Sequence, residues 1–225
     1  MPPQHLSGQM LSLGFGTEII YSFVIIVCSL LIYFGTKELY ELSKYKGIKY
    51  FREAFLFFAA AFFFRSFIKF LLMFFGTTPV HELIHPYMRI ITLFIFMFAS
   101  SMAIFYLLYS MMWKRWRNAP KLIYFYLLTA IISLASIIFN NTLIILGVYL
   151  LLLIFIVSIM LIAHKISRNK KSNMYIIYML ISLFLILNII DILIPRFLQL
   201  YQLLIYLISL ALFLLIFYKV TKKTG

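Results

Sequence analysis

The stretch TLIILGVYLLLLIFIVSIMLIAH, residues 142–164, decides the fold. It holds 23 residues with no Asp, Glu, Lys or Arg among them. As a helix rising 1.5 Å per residue it is about 35 Å long, enough to cross ~30 Å of hydrocarbon. A helix closes its own backbone hydrogen bonds, which lipid cannot supply. A barrel strand would need only ~10 residues and would alternate apolar with polar side chains. This run is too long and too uniformly apolar for that.

Working outward, six more runs have the same character: Thr17–Gly35, Phe51–Phe75, Tyr87–Trp113, Leu122–Phe139, Met174–Leu193 and Leu198–Tyr218. Together they predict an all-α, polytopic integral membrane protein, a bundle of about seven transmembrane helices forming one domain over residues 1–225. Only Asn140 and Asn141 separate the fourth run from the fifth. Leu122 to His164 is too long for a single crossing, and Asn suits a tight turn. Composition agrees: 65% of the residues are hydrophobic and 12% are charged, against about a quarter charged in a soluble domain. Met1–Phe15 carries no Lys or Arg. It therefore lacks the basic start of a cleaved signal peptide, and the first run is expected to stay in place as a helix.

Orientation follows from the basic residues. Lys37, Lys44, Lys46, Lys49 and Arg52 follow the first run. Lys114, Arg115, Arg117 and Lys121 follow the third, and Lys165, Arg168, Lys170 and Lys171 follow the fifth. Lys219, Lys222 and Lys223 lie in the tail. Positive charge is kept on the cytoplasmic side, so the N-terminus is expected outside and the C-terminus inside, in the plasma membrane or an equivalent cell membrane. The formal net charge of +14 then sits beside anionic headgroups at the cytoplasmic face of the bilayer, which are its expected partner. Nucleic acid is not.

The segment Thr36–Tyr50 carries Lys37-Glu38-x-x-Glu41-x-x-Lys44, spaced as the solvated face of a short interfacial helix. Gly47 is expected to end it. Trp113 and Trp116 stand where interfacial anchors do. Ala59, Ala60 and Ala61, and Ser100, Ser101 and Ala103, offer small-residue patches for close helix approach. Cys28 is the single cysteine, so there is neither an intrachain disulfide nor a cysteine metal site.

Charges within the apolar runs carry the functional expectation. Arg65 and Lys69 lie four apart, on one face of the second run. Measured from Arg52 they stand about 20 and 26 Å along the helix. Lys69 can snorkel to the outer surface at little cost, whereas Arg65 is deeper and needs a partner or a wet cavity. Asp191 in the sixth run, with Asn188 about one turn below it, is one candidate partner; Glu18 at the outer end of the first run is another. A polar site of Arg65, Lys69, Asn188 and Asp191 opening outward would suit a small anionic or zwitterionic ligand. The alternative is an ion pair that only fixes how helices pack.

His81-Glu82-x-x-His85 matches the H-E-x-x-H signature of zinc hydrolases. On a helix the two His share one face and can hold zinc, while Glu82 acts as general base on its water. Asp191 would be a third ligand. Pro86 turns His85 away from helical geometry, so these residues are expected in an outer loop. Membrane-embedded zinc proteases of the site-2 class pair this signature with a second Asp-containing motif. Asp191 is followed by Ile192 rather than by a glycine, so that motif is not reproduced.

The leading expectation is a small heptahelical protein, transporter-like or sensor-like, leaning away from an enzyme and needing no cofactor. One alternative is an outward-facing zinc hydrolase built on His81, Glu82 and His85. The other is a structural or assembly subunit held by a membrane-protein partner. Rhodopsins share the topology, but they need a lysine deep in the last helix, and Leu203–Phe217 has none.

Overall fold

The computed structural model describes residues 4–75, 81–112, 122–139, 142–166, 173–193 and 199–224. The described residues are helical, with no strand among them. The helices are α1 (Gln4–Gly35), α2 (Lys37–Ser43), α3 (Lys46–Phe75), α4 (His81–Met112), α5 (Ile123–Phe139), α6 (Thr142–Ile166), α7 (Asn173–Leu193) and α8 (Gln199–Thr224).

Among the described residues, three segments are long and apolar enough to cross a membrane: Gly16–Ser43, Ile90–Ser110 and Tyr201–Lys222. Ile123–Ile138 and Leu146–Ser158 are shorter apolar helices. Two expected boundaries move. α1 begins at Gln4 instead of Thr17. α4 begins at His81 and runs through Pro86, where a loop was expected. A proline removes one hydrogen bond to the carbonyl four residues back. Near one end of a 32-residue helix the remaining turns hold the helix regardless.

The amphipathic segment after α1 forms α2, and Lys37 pairs with Glu41 at 3.8 Å across one turn. Gly47 does not end it. Lys44 does, in the left-handed region at φ 50°, with its N–H donating to the Tyr40 carbonyl. That conformation costs a non-glycine residue about 1–2 kcal/mol. Gly47 lies instead in the first turn of α3.

α1 packs on α3 and α8, α3 on α4, α4 on α6, α6 on α7, and α7 on α8, which closes a ring. α5 leans mainly on α4. Aromatic side chains fill the middle. Phe62 of α3 meets Tyr21 of α1 at 5.8 Å and Phe184 of α7 at 6.2 Å. Phe184 meets Phe213 of α8 at 5.4 Å, and Phe213 meets Phe55 at 6.2 Å. The edge-on and tilted arrangements are those that aromatic quadrupoles favour. Phe55, Phe105, Phe184 and Phe213 are fully buried.

The exterior is apolar as well. Ile20 and Phe23 of α1, Ile131 and Ile138 of α5, and Ile154 and Leu161 of α6 are all exposed. Soluble monomers rarely expose contiguous apolar patches beyond a few hundred Å². Helices apolar both inside and out suit a hydrocarbon solvent.

Candidate functional site

Two arginines of α3 hold α1. Glu18, near the middle of α1 and at the start of the apolar segment Gly16–Ser43, accepts two hydrogen bonds on one carboxylate oxygen, Oε1. Arg65 Nε donates at 3.2 Å and Nη2 at 2.9 Å. Bonds between two ionised groups are the stronger kind. The guanidinium carbon also lies 5.5 Å from the centroid of the Phe96 ring of α4, within cation–π range. The Arg65 side chain is 21% exposed and that of Glu18 is 14%. The pair is thus largely withdrawn from the surface, with Phe62 about one turn deeper.

Arg52 is the second clamp. Its Nε donates to the Tyr33 carbonyl at 2.9 Å, and its guanidinium lies 4.7 Å from the Tyr33 ring centroid and 5.9 Å from that of Tyr40. Tyr33 is in the last turn of α1, where carbonyls lack intrahelical partners and the dipole favours a cation. Sequence reading counted Arg52 only as an inner-boundary charge.

Glu18, one of the two partners considered for Arg65, is in contact with it. The side chains of Lys69, Asn188 and Asp191 lie outside the described residues. Their helices are placed: Lys69 is one turn past Arg65 on α3, and Asn188 and Asp191 follow Phe184 on α7 by four and seven residues. Phe184 itself touches Phe62, three residues before Arg65. The side chains of His81, Glu82 and His85 are likewise outside the described residues, although their backbone is helical. Among the described residues, no three His, Cys, Asp or Glu gather as a metal site would require.

Serines divide into two groups. Ser110, Ser133, Ser136 and Ser182 donate to carbonyls three or four residues back, as hydroxyls in apolar helices do. Ser22, Ser29, Ser66 and Ser101 have buried Oγ atoms with no hydrogen-bond partner among the described residues. Ser22 stands one turn along α1 from Glu18, and Ser66 is next to Arg65. Sequence reading saw Ser101 only as a small residue and passed over the others, because every serine looks alike until its rotamer and neighbours are known.

The fold and this site define an all-helical protein with at least three helices fit to cross a membrane and a charged pair set between two long helices. A protein of Archaeoglobus fulgidus, described as an uncharacterized protein, is 31% identical to this chain over 233 residues, covering 99% of this chain and 100% of that protein. The chain belongs to the same family as that protein. No family model matches the chain, and no solved structure matches it.

A double-mutant cycle tests the pair. Glu18→Leu and Arg65→Leu should each destabilise the detergent-solubilised protein by about 2–3 kcal/mol, below the about 3–5 kcal/mol for breaking a fully buried pair because some solvent reaches this one. The double substitution should recover most of that loss, read by thermal unfolding.

Proposed function

We propose that the chain is a multi-pass membrane protein of about seven spans, N-terminus outside, that receives a small anionic or zwitterionic ligand from the outer face. The supporting observation is the Glu18–Arg65 pair, a charged couple drawn in among apolar helices at the N-terminal end of the apolar segment Gly16–Ser43. The positive-inside rule makes that end the outer one. Lys69, Asn188 and Asp191 belong to the same proposed site through their places on α3 and α7.

The aromatic contacts of Phe62, Phe184, Phe213 and Phe55 lie inward of the pair. They favour reception at the outer rim, with the helix ring passing on the change, over an open conduit. A transporter on this frame would have to move the plug. The basic inner segments would face anionic headgroups or a membrane-protein partner.

Ligand-dependent stability tests this reading. Acetate, dimethyl phosphate and glycine are each titrated against the purified protein in a zwitterionic detergent. A ligand present at about 100 times its Kd stabilises by about 2.7 kcal/mol. At least one of the three should raise the midpoint of thermal unfolding in wild type and fail to do so in Arg65→Leu. Equal shifts in both proteins, or none in either, would contradict a site at Arg65.

A zinc hydrolase stands as a second reading because the backbone is helical from His81 through Pro86. His81 and His85 therefore sit four apart on one helix, as the signature demands. Elemental analysis of protein purified without chelator checks it: about one zinc per chain is expected on this reading, and zinc-free protein would rule it out.

A further inference from the structure

The other end of α3 carries a carboxylate without a counter-charge. Glu53 is half-buried, about 18 Å along the helix from Arg65. It takes part in no ion pair or hydrogen bond among the described residues. Arg52, its neighbour in sequence, is spent on Tyr33 of α1. Lys49, one turn earlier, is exposed and is not paired with it. An ionised group set among apolar helices calls for a partner.

Aromatic rings stand around this carboxylate. Tyr50 and Phe57, three residues before Glu53 and four after it, share its face of α3. Both rings meet that of Tyr106 on α4, at 6.1 and 5.2 Å between centroids. Glu53 therefore stands between two rings that converge on a third, and it is near enough to the Tyr106 phenol to act on it electrostatically. Tyr109 closes on Tyr50 at 4.5 Å with the ring planes at 89°. Tyr126 of α5 closes on Tyr106 at 6.4 Å and 80°. Rings set at right angles present edges beside faces, as the walls of a box do. The walls are held in advance, because the Tyr106 and Tyr126 hydroxyls share a hydrogen bond of 2.8 Å between α4 and α5. Such preorganisation favours binding. Tyr106 is buried, Tyr50 and Phe57 are half-buried and Tyr126 is exposed, so the cluster reaches the surface.

We propose that Glu53 and these rings bind an alkylammonium cation, a quaternary ammonium above all, at the junction of α3, α4 and α5. This is a second site, separate from the outward one at Arg65. Ring faces attract cations within about 6 Å of the centroid, and methylated ammonium ions are the ones that aromatic boxes take. A quaternary ammonium has no N–H, so it leaves water without losing a hydrogen bond, and Glu53 supplies the opposite charge. Sodium would have to give up a tight hydration shell to rings that cannot replace it. The cation has two sources, a free solute such as choline or the headgroup of a phosphatidylcholine. The exposed Lys46 and Lys49, at the start of α3, would meet the phosphate of such a headgroup.

Calorimetric titration of the full chain in a maltoside detergent, which brings no ammonium group of its own, tests this at constant ionic strength. One arm uses choline and a second uses dihexanoyl phosphatidylcholine below its micelle concentration. A third uses the neutral tert-butyl analogue of choline, in which carbon replaces nitrogen. Both ammonium compounds should bind, and the neutral analogue should not. Glu53→Gln keeps the shape and removes the charge, and it should weaken each ammonium compound about tenfold or more. Phe57→Leu takes away one wall and should weaken them roughly threefold to tenfold. A lipid that binds at least about ten times more tightly than choline assigns the site to a headgroup; comparable or weaker binding assigns it to a free solute. Equal binding by wild type and Glu53→Gln would overturn the proposal. So would equal binding of choline and its neutral analogue, or failure of both ammonium compounds to bind. Choline and its analogue carry no oxyanion, so none of these results bears on the outward site.

Discussion

The register of α1 against α3 is set by two arginines about 20 Å apart along one helix, and the arrangement of the bundle depends on it. At one end Arg65 grips a carboxylate; at the other Arg52 grips a backbone carbonyl and lies over two tyrosine rings. Between them Tyr21 meets Phe62. Dispersion and aromatic packing alone would let two apolar helices slide past one another with little penalty, because one leucine face resembles the next. Charged hydrogen bonds do not allow that, since a one-turn slip would leave both guanidinium groups without their acceptors.

With α1 and α3 fixed, the rest follows by contact. Phe62 reaches α7 through Phe184, Phe184 reaches α8 through Phe213, and Phe213 returns to α3 through Phe55. The ring of helices is therefore held from inside by one connected aromatic core. Its outer surface is equally apolar, which places the burden of solvation on lipid. The polar groups that remain are sorted accordingly. Most hydroxyls turn back on their own helix. Among the described residues, the buried ones that do not are Ser22, Ser29, Ser66 and Ser101.

The positions of the helices were legible in the sequence because hydrophobic run length is a one-dimensional signal. The runs at Leu122–Phe139, Thr142–His164 and Met174–Leu193 fall within two residues of α5, α6 and α7. Capping and turn chemistry were harder to read. Gly47 looked like a stop, but Lys44 took the left-handed position, and Pro86 looked like a break, but α4 ran through it. In both cases the packing of a long helix outweighed a local preference. The pairing of Arg65 was half legible. Depth along the helix put Glu18 within reach, and the rotation of α1 against α3, which no sequence period encodes, brought it into contact. The stranded serines were illegible for the same reason.

The proposal of a bilayer-embedded bundle with an outward polar site needs hydrocarbon around the exposed faces of α1, α5 and α6. Spin labels at Phe23, Ile131 and Ile154, introduced one at a time on a Cys28→Ala background in reconstituted vesicles, report that solvent directly. Preferential collision with dissolved oxygen over a water-soluble nickel complex at all three positions is the expected result. Collision with the nickel complex as frequent as at an unfolded reference would mean that water, not lipid, surrounds these helices, and it would contradict the proposal.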